Sequence, residues 1–244
     1  DPEILRSMIN AGMNIARFNF SHGSYEDHGK ILSMVRKMEK SFKFPIATML
    51  DTRGPEIRTG KLEEEEILLL EGDMFTLRYS GTCGDRSGVP INYPDILDEL
   101  EEGQQVFIDD GLIELEVTGR SDDGVLTRIV TGGSLGAHKG INLPGAAISV
   151  PALSDNDYND LCWGLEHDME YVAVSFVKTR DDVIGVRRAI EENNGSMKII
   201  AKIETRQAVD NIQEIIEVVD GLMVARGDLG VEIPAEEVPL IQKK

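Results

Sequence analysis

The sequence predicts an α/β fold in which a partial TIM-type (β/α)8 barrel carries an inserted small β-barrel domain. Three observations predict it. Short apolar runs alternate with amphipathic helical stretches near both ends of the chain. Between them, a stretch of roughly ninety residues has no helical period and is broken by Gly, Asp and Pro. The strand-like runs near the ends all stop at polar or charged residues, as strands at a barrel mouth do.

The elements follow in order. Asp1-Pro2-Glu3 starts a helix, with a capping Asp, Pro at the first helical position and then an acid. Ile4, Leu5, Met8 and Ile9 form its apolar stripe, and Gly12 ends it. Residues 14–18 read as a buried strand. A helix over 24–40 carries Ile31, Leu32, Val35 and Met38 on one face, and residues 45–50 form a second strand. From about residue 59 to 150 the pattern is short β runs, with hairpins around Asp110-Gly111 and Asp123-Gly124. The acid run Glu63 to Glu66 reads as a solvated edge. At Ser154 a capping box with Asp157 opens a helix to His167. Strand 171–176, helix 179–193, strand 198–203, helix 206–218 and strand 221–225 follow. Such alternation implies a parallel sheet with right-handed crossovers. The expected domains are residues 1–59, the first barrel part; 60–150, the insertion; and 151–244, the second barrel part. Five strands and about 150 barrel residues fall short of the roughly 250 of a closed barrel.

Composition narrows the function. The formal net charge is −19 over 244 residues, and no basic stripe suits a nucleic-acid backbone. No apolar run reaches the ~18–20 residues of a membrane span. Cys83 and Cys162 stand far apart, so neither a disulfide framework nor a zinc site is expected, and a cytoplasmic setting is the simplest reading.

The strand ends carry the chemistry. They read Arg17 to Gly23, Asp51 to Gly60, Ser175 to Lys178, Lys202-Ile203-Glu204, and Arg226 to Gly230. Lys202 and Glu204 alternate along one strand, so both face the mouth. They form either a plain salt bridge or a metal carboxylate beside a cation that stabilises oxyanion charge. Glu204 and Asp228 suit one hard divalent ion, Mg²⁺ or Mn²⁺ rather than zinc. Gly227, ahead of an expected tight turn, lets backbone N–H groups approach a carboxylate or phosphate.

Five segments resemble, in order, the signature segments of pyruvate kinases. They are Asn19-Phe20-Ser21-His22-Gly23, the run from Leu50 to Gly60, the run from Lys139 to Gly145, Lys202-Ile203-Glu204, and the run from Met223 to Gly230. The resemblance implies transfer of a phosphoryl group from phosphoenolpyruvate to ADP, giving pyruvate and ATP. It implies that Arg17 contacts the transferred phosphate and that Lys202 neutralises phosphoryl and enolate charge. Asn19, Ser21, Asp51 and the Thr52 carbonyl would hold K⁺. Arg58 and Lys139 would bind nucleotide phosphates, with Lys139 carried by the insertion acting as a lid. Glu204 and Asp228 would hold the divalent ion, and the backbone at Ala225, Gly227 and Asp228 would take the substrate carboxylate. Glu56 would go with a K⁺ requirement, and Pro55 and Pro151 would flank the hinge. A cytoplasmic homotetramer is implied for the full-length parent.

One departure stands out: Gln207-Ala208 occupies the place of the family's usual acid-Gly pair. A first barrel strand before Asp1 and two more after Lys244, one with a substrate-side Thr, would lie outside the sequence. So would a regulatory C-terminal domain. The 244 residues alone are therefore expected not to turn over, while the insertion folds by itself. Two other readings stay open: a metal-dependent 2-oxo-acid aldolase or lyase, and an inactive ligand-binding fragment.

Overall fold

The computed structural model describes residues 1–42, 44–55, 57–144 and 153–244. The expected roles of Glu56, Gly145 and Pro151 lie outside the described residues.

Helix α1 (Pro2–Asn10) is capped by Asp1, whose carboxylate accepts from the Glu3 and Ile4 amides. Of its expected stripe, Ile9 is buried, whereas Ile4 and Met8 are exposed. Strand β1 (Ile15–Asn19), helix α2 (Tyr25–Glu39) and strand β2 (Ala47–Asp51) follow. A Ser24–Asp27 capping box starts α2, and its Leu32 and Val35 are buried. Ile31, expected on that face, is half exposed.

The middle of the chain is β-rich. Its strands are β3 (Lys61–Leu62), β4 (Glu66–Leu69), β5 (Met74–Arg78), β6 (Cys83–Gly84), β7 (Gly88–Pro90), β8 (Gln105–Ile108), β9 (Ile113–Ser121), β10 (Gly124–Thr131), β11 (Gly133–Gly136) and β12 (Ile141–Asn142). Six of them form a sheet in the order β12-β8-β9-β10-β5-β7. The segment at Arg58 and Thr59 closes that sheet on itself. Arg58 bridges Gly140, beside the β12 edge, and Thr59 bridges Ile91, beside the β7 edge. The alternate residues Phe75, Leu77, Val106, Ile108, Ile113, Leu115 and Val125 fill the interior, as the two-residue period of a strand requires. The β8–β9 turn has Asp110 and Gly111 at positive φ, as the Asp-Gly pair implies. The β9–β10 turn centres instead on Asp122 and Asp123, because Ser121 pairs with Gly124. Gly124 is the first residue of β10, and a Cβ there would run into the Leu77 carbonyl.

The β/α rhythm then returns with α3 (Asp155–Glu166), β13 (Tyr171–Val174), α4 (Arg180–Glu192), β14 (Lys198–Ile203), α5 (Arg206–Asp210), α6 (Ile212–Ile216), β15 (Gly221–Val224), α7 (Arg226–Glu232) and α8 (Val238–Lys243). Capping boxes, Ser154 with Asp157 and Thr179 with Asp182, start α3 and α4. Two expectations need correction. The helix expected over 206–218 breaks at Asn211, whose side-chain amide donates to the Lys178 carbonyl at 2.9 Å. Arg226-Gly227-Asp228 does not precede a turn; it forms the first turn of α7.

Five strands make one sheet in the order β1-β2-β13-β14-β15. The β1–β2, β2–β13 and β13–β14 pairs are parallel. The β13 strand pairs directly with β2 although the whole β-rich stretch separates them in sequence. That is the strand order of a partial β/α barrel carrying an insertion. Packing divides the chain into two compact units. The first holds residues 1–55, 151–203 and 211–223. The second holds residues 56–150, 204–210 and 224–244.

At the N-terminal end of the sheet, Glu170 ties three elements of the first unit together. It accepts from the Thr48 amide at 2.6 Å, the Thr48 hydroxyl at 2.8 Å and Arg36 at 2.8 Å. Burial works against the charged carboxylate, but the Thr48 and Arg36 hydrogen bonds outweigh it and hold its pKa below the ordinary value of 4.5. A depressed folded pKa means stability present above the unfolded pKa and lost as pH falls through the folded one. We expect Glu170→Gln to lower the thermal midpoint at neutral pH. The gap from the native protein should narrow as pH falls below about 4.3, the usual unfolded glutamate value. Midpoints recorded over an acid pH series check this, and a gap that stays constant would contradict it.

Candidate active site

The first unit gathers a charged cluster at the C-terminal ends of its strands. Asn19 ends β1 directly opposite Asp51, which ends β2. Arg17 lies on the same strand face as Asn19, two residues earlier, and so reaches Asp51 diagonally. Its Nε donates to Asp51 Oδ2 at 2.6 Å. From β14, Lys202 brings its Nζ to 3.3 Å from Asp51 Oδ1. The Asp51 carboxylate is only 2% exposed. A charge so buried persists only where opposite charges offset its lost hydration, and here two cations do so. Asp51 Oδ1 has no hydrogen-bond partner among the described residues.

A second set of contacts runs beside it. Lys202 Nζ donates to Ser175 Oγ at 2.7 Å, and that hydroxyl donates to the Thr52 carbonyl at 2.7 Å. The Ser175 amide donates to Thr52 Oγ1 at 3.0 Å, and the Thr52 amide donates to the Ala173 carbonyl at 3.0 Å. Asn19 Oδ1 accepts from the Ser21 amide at 3.0 Å. Thus Arg17, Asn19, Ser21, Asp51, Thr52 and Lys202 come together, joined by Ser175, to which the sequence alone assigns no role. Ser175 is 1% exposed and follows the fully buried Val172, Ala173 and Val174. A small hydroxyl directly after such an apolar run was the available signal.

The second unit places the other expected residues. Closure of the β-rich sheet sets Arg58 and Lys139 side by side. The Thr59 amide donates to the Lys139 carbonyl at 2.8 Å, and the Lys139 amide donates to Thr59 Oγ1 at 2.9 Å. The Arg58 guanidinium donates to the His138 carbonyl at 2.8 Å. The Lys139 ammonium lies 2.9 Å from the Asp109 carboxylate in the β8–β9 turn. Glu204, the first residue beyond β14, is 1% exposed. Ala225 caps α7, and Gly227 and Asp228 lie in its first turn, with Asp228 exposed. A Cβ at Gly227 would meet nothing within 4 Å. Leu229, Ile233 and Val238 pack against Val209, Val224 and Ile241, which draws the stretches after β14 and β15 together.

Two expected ions can be tested against these residues. Among the described residues no group of three or more His, Cys, Asp and Glu side chains could hold a metal. Glu204 and Asp228 would supply two carboxylates and no softer donor. That fits Mg²⁺, which keeps waters and takes substrate oxygens beside one or two carboxylates. The oxygens of Asn19, Asp51 and Thr52, with the buried Asp51 Oδ1 lacking a hydrogen bond, fit a monovalent cation.

Comparison with known proteins decides the family. The model of the pyruvate kinase barrel domain matches residues 1–244. The chain belongs to the pyruvate kinase family. It is 46% identical over 253 residues to pyruvate kinase PKLR of Homo sapiens, covering 99% of the chain and 44% of that protein. It is 43% identical over 242 residues to a pyruvate kinase of Geobacillus stearothermophilus, covering 98% of the chain and 41% of that protein. It is 42% identical over 245 residues to that of Sporosarcina psychrophila, covering 99% of the chain and 42% of that protein. The chain thus spans less than half the length of these curated relatives. Pyruvate kinases as a family depend on metal. No helix among the described residues is long and apolar enough to cross a membrane.

Proposed function

We propose that this chain carries the phosphoryl-transfer centre of a pyruvate kinase, which converts phosphoenolpyruvate and ADP to pyruvate and ATP. The observation that carries the reading is the convergence of Arg17 and Lys202 on the buried Asp51 carboxylate at the strand ends. Phosphoryl transfer demands little covalent chemistry from the protein. It demands positioned positive charge around the transferring group. Asp51 holds two cations in place before substrate arrives, which is the preorganisation that makes electrostatic stabilisation effective.

In this reading Arg17 binds the transferred phosphoryl group. Lys202, oriented by Ser175 and Asp51, neutralises phosphoryl oxygens and then the enolate oxygen of enolpyruvate, which is protonated to pyruvate. Amides near Ala225, Gly227 and Asp228 take the substrate carboxylate, since the first turn of a helix leaves N–H groups without intrahelical partners. Arg58 and Lys139 bind the nucleotide phosphates, with Lys139 exchanging its Asp109 contact for them, and residues 60–150 act as the domain that carries Lys139. Glu204 and Asp228 would hold Mg²⁺ or Mn²⁺, and Asn19, Ser21, Asp51 and the Thr52 carbonyl would hold K⁺. When bound, these ions supply positive charge to the phosphoryl oxygens. The complete protein is read as a cytoplasmic homotetramer that binds neither nucleic acid nor membrane.

The test uses the complete protein that carries this sequence. Mn²⁺ binding followed by electron paramagnetic resonance should weaken by about 10-fold or more in Glu204→Gln and in Asp228→Asn, the scale of losing a hard-ion carboxylate. Turnover should also require K⁺. Native-like Mn²⁺ affinity in both variants would contradict the assignment.

A further inference from the structure

Asp157 lies in the first turn of α3 and is fully buried, at 0% exposure. Its two carboxylate oxygens serve two separate pieces of chain. Oδ2 accepts from the Ser154 amide at 3.1 Å and from the Ser154 hydroxyl at 2.6 Å, completing the capping box. Oδ1 accepts from the Gly54 amide at 3.1 Å, across 103 residues of sequence. A capping box needs only the first set, so helix initiation does not account for Oδ1. One turn further on, Asp160 is also buried. It accepts from Arg53 Nε at 3.2 Å and from the Tyr25 hydroxyl at 2.7 Å. Residues three apart share a helix face, so one face of α3 grips the consecutive residues Arg53 and Gly54. Burial, and next the Asp160 hydrogen bond, push the Tyr25 phenol up to about 12, so Tyr25 remains a donor to Asp160 at neutral pH.

The other side of the same loop is held as firmly. Ser175 engages Thr52 through two hydrogen bonds. Gly54, at φ +75°, packs so closely that a Cβ would sit 2.6 Å from Phe176 and 2.8 Å from Ser175. The loop 52–54 therefore has no slack. It begins beside Asp51, which carries both cations, and runs on through Pro55 toward Arg58. The chain returns to the first unit at residue 151, three residues before Ser154.

We infer that Asp157 is a positioning residue for the ADP side of phosphoryl transfer, fixing the chain at Gly54, just before it leaves the first unit after residue 55, and at Ser154, just after it returns at residue 151. This inference rests on the function proposed above. The PEP-side cations Arg17 and Lys202 pair directly with Asp51, whereas Asp157 acts on the loop three residues further on, at Gly54. Losing the clamp should therefore disturb the Arg58 and Lys139 contacts to nucleotide and spare the PEP contacts.

The experiment compares Asp157→Ala with Ser154→Ala in the complete protein. Ser154→Ala weakens the helix cap but leaves Asp157 able to hold Gly54. Asp157→Asn, isosteric but with one acceptor oxygen where two are used, replaces Asp157→Ala if that variant does not fold. Gly54 amide exchange should speed up about 10- to 100-fold in Asp157→Ala, the range implied by loss of a buried hydrogen bond to a charged group. In Asp157→Asn either the Gly54 or the Ser154 amide should do so. KM for ADP should rise about tenfold in the Asp157 variant, with KM for phosphoenolpyruvate within about twofold, whereas Ser154→Ala should change neither KM nor Gly54 exchange. Unchanged exchange at these amides in the Asp157 variant, or the same kinetic split in Ser154→Ala, would overturn the inference. If the native protein makes no pyruvate, the proposed function falls, and the exchange comparison still decides whether Asp157 is a clamp.

Discussion

Replacing Lys202 with Met should lower turnover of the complete protein by about 100- to 1,000-fold or more, the cost of removing one preorganised charge-stabilising group. The side chain is 12% exposed, and its ammonium sits 3.3 Å from one Asp51 oxygen and 2.7 Å from Ser175. Its loss removes positive charge where the transferring group develops negative charge. It also strips a cation from a nearly buried carboxylate, and breaking a buried pair on one side costs about 3–5 kcal/mol. Two readouts follow, a fall in kcat and a fall in thermal midpoint. Lys202→Arg should recover part of the midpoint and little of kcat. A planar guanidinium keeps the charge but cannot reproduce a compact ammonium shared between Asp51 and Ser175. Turnover within about threefold of native in Lys202→Met would remove Lys202 from the transfer step.

Gly54→Ala should be strongly destabilising. The new methyl meets Phe176 at 2.6 Å and Ser175 at 2.8 Å, and the backbone stands at φ +75°. Left-handed backbone costs an L-residue about 1–2 kcal/mol, and forced overpacking adds about 1–3 kcal/mol. The control is Gly72→Ala, at φ +89° with nothing within 4 Å of the added Cβ. It carries the backbone cost alone. The thermal midpoint should fall clearly further in Gly54→Ala than in Gly72→Ala. Equal falls would show that the Phe176 side of the loop yields freely.

Much of this was legible in the sequence because local physics and tertiary demand agree there. The capping residues Ser24, Ser154 and Thr179 and the Asp110-Gly111 turn each announce an element whose start or bend the structure places as expected. Strand-end polar residues pointed to the candidate site: β2 ends on Asp51 after the buried Thr48, Met49 and Leu50, and Lys202 stands one residue before the end of β14. What was not legible depends on distant partners. Asn211 breaks a helix by reaching the Lys178 carbonyl, and nothing in the local pattern of residues 206–218 records that contact. Ser175 and Asp157 read as an ordinary loop serine and an ordinary capping acid. Their second partners, Lys202 for Ser175 and Gly54 for Asp157, lie 27 and 103 residues away. The shift of the second hairpin turn from Asp123-Gly124 to Asp122-Asp123 has the same origin. Gly124 is required by the approach of Leu77 on a neighbouring strand, and turn geometry does not demand it.

If Asp51 gathers Arg17 and Lys202 to transfer a phosphoryl group from phosphoenolpyruvate to ADP, phosphorus NMR of the complete protein, mixed with both substrates, Mg²⁺ and K⁺, will record the transfer itself. The phosphoenolpyruvate signal should be replaced by the ATP γ-phosphate signal, with one pyruvate formed per ATP, and Lys202→Met should nearly abolish the exchange. Phosphoenolpyruvate consumed with release of inorganic phosphate and no ATP, or carbon–carbon cleavage of a 2-oxo acid in its place, would contradict that transfer.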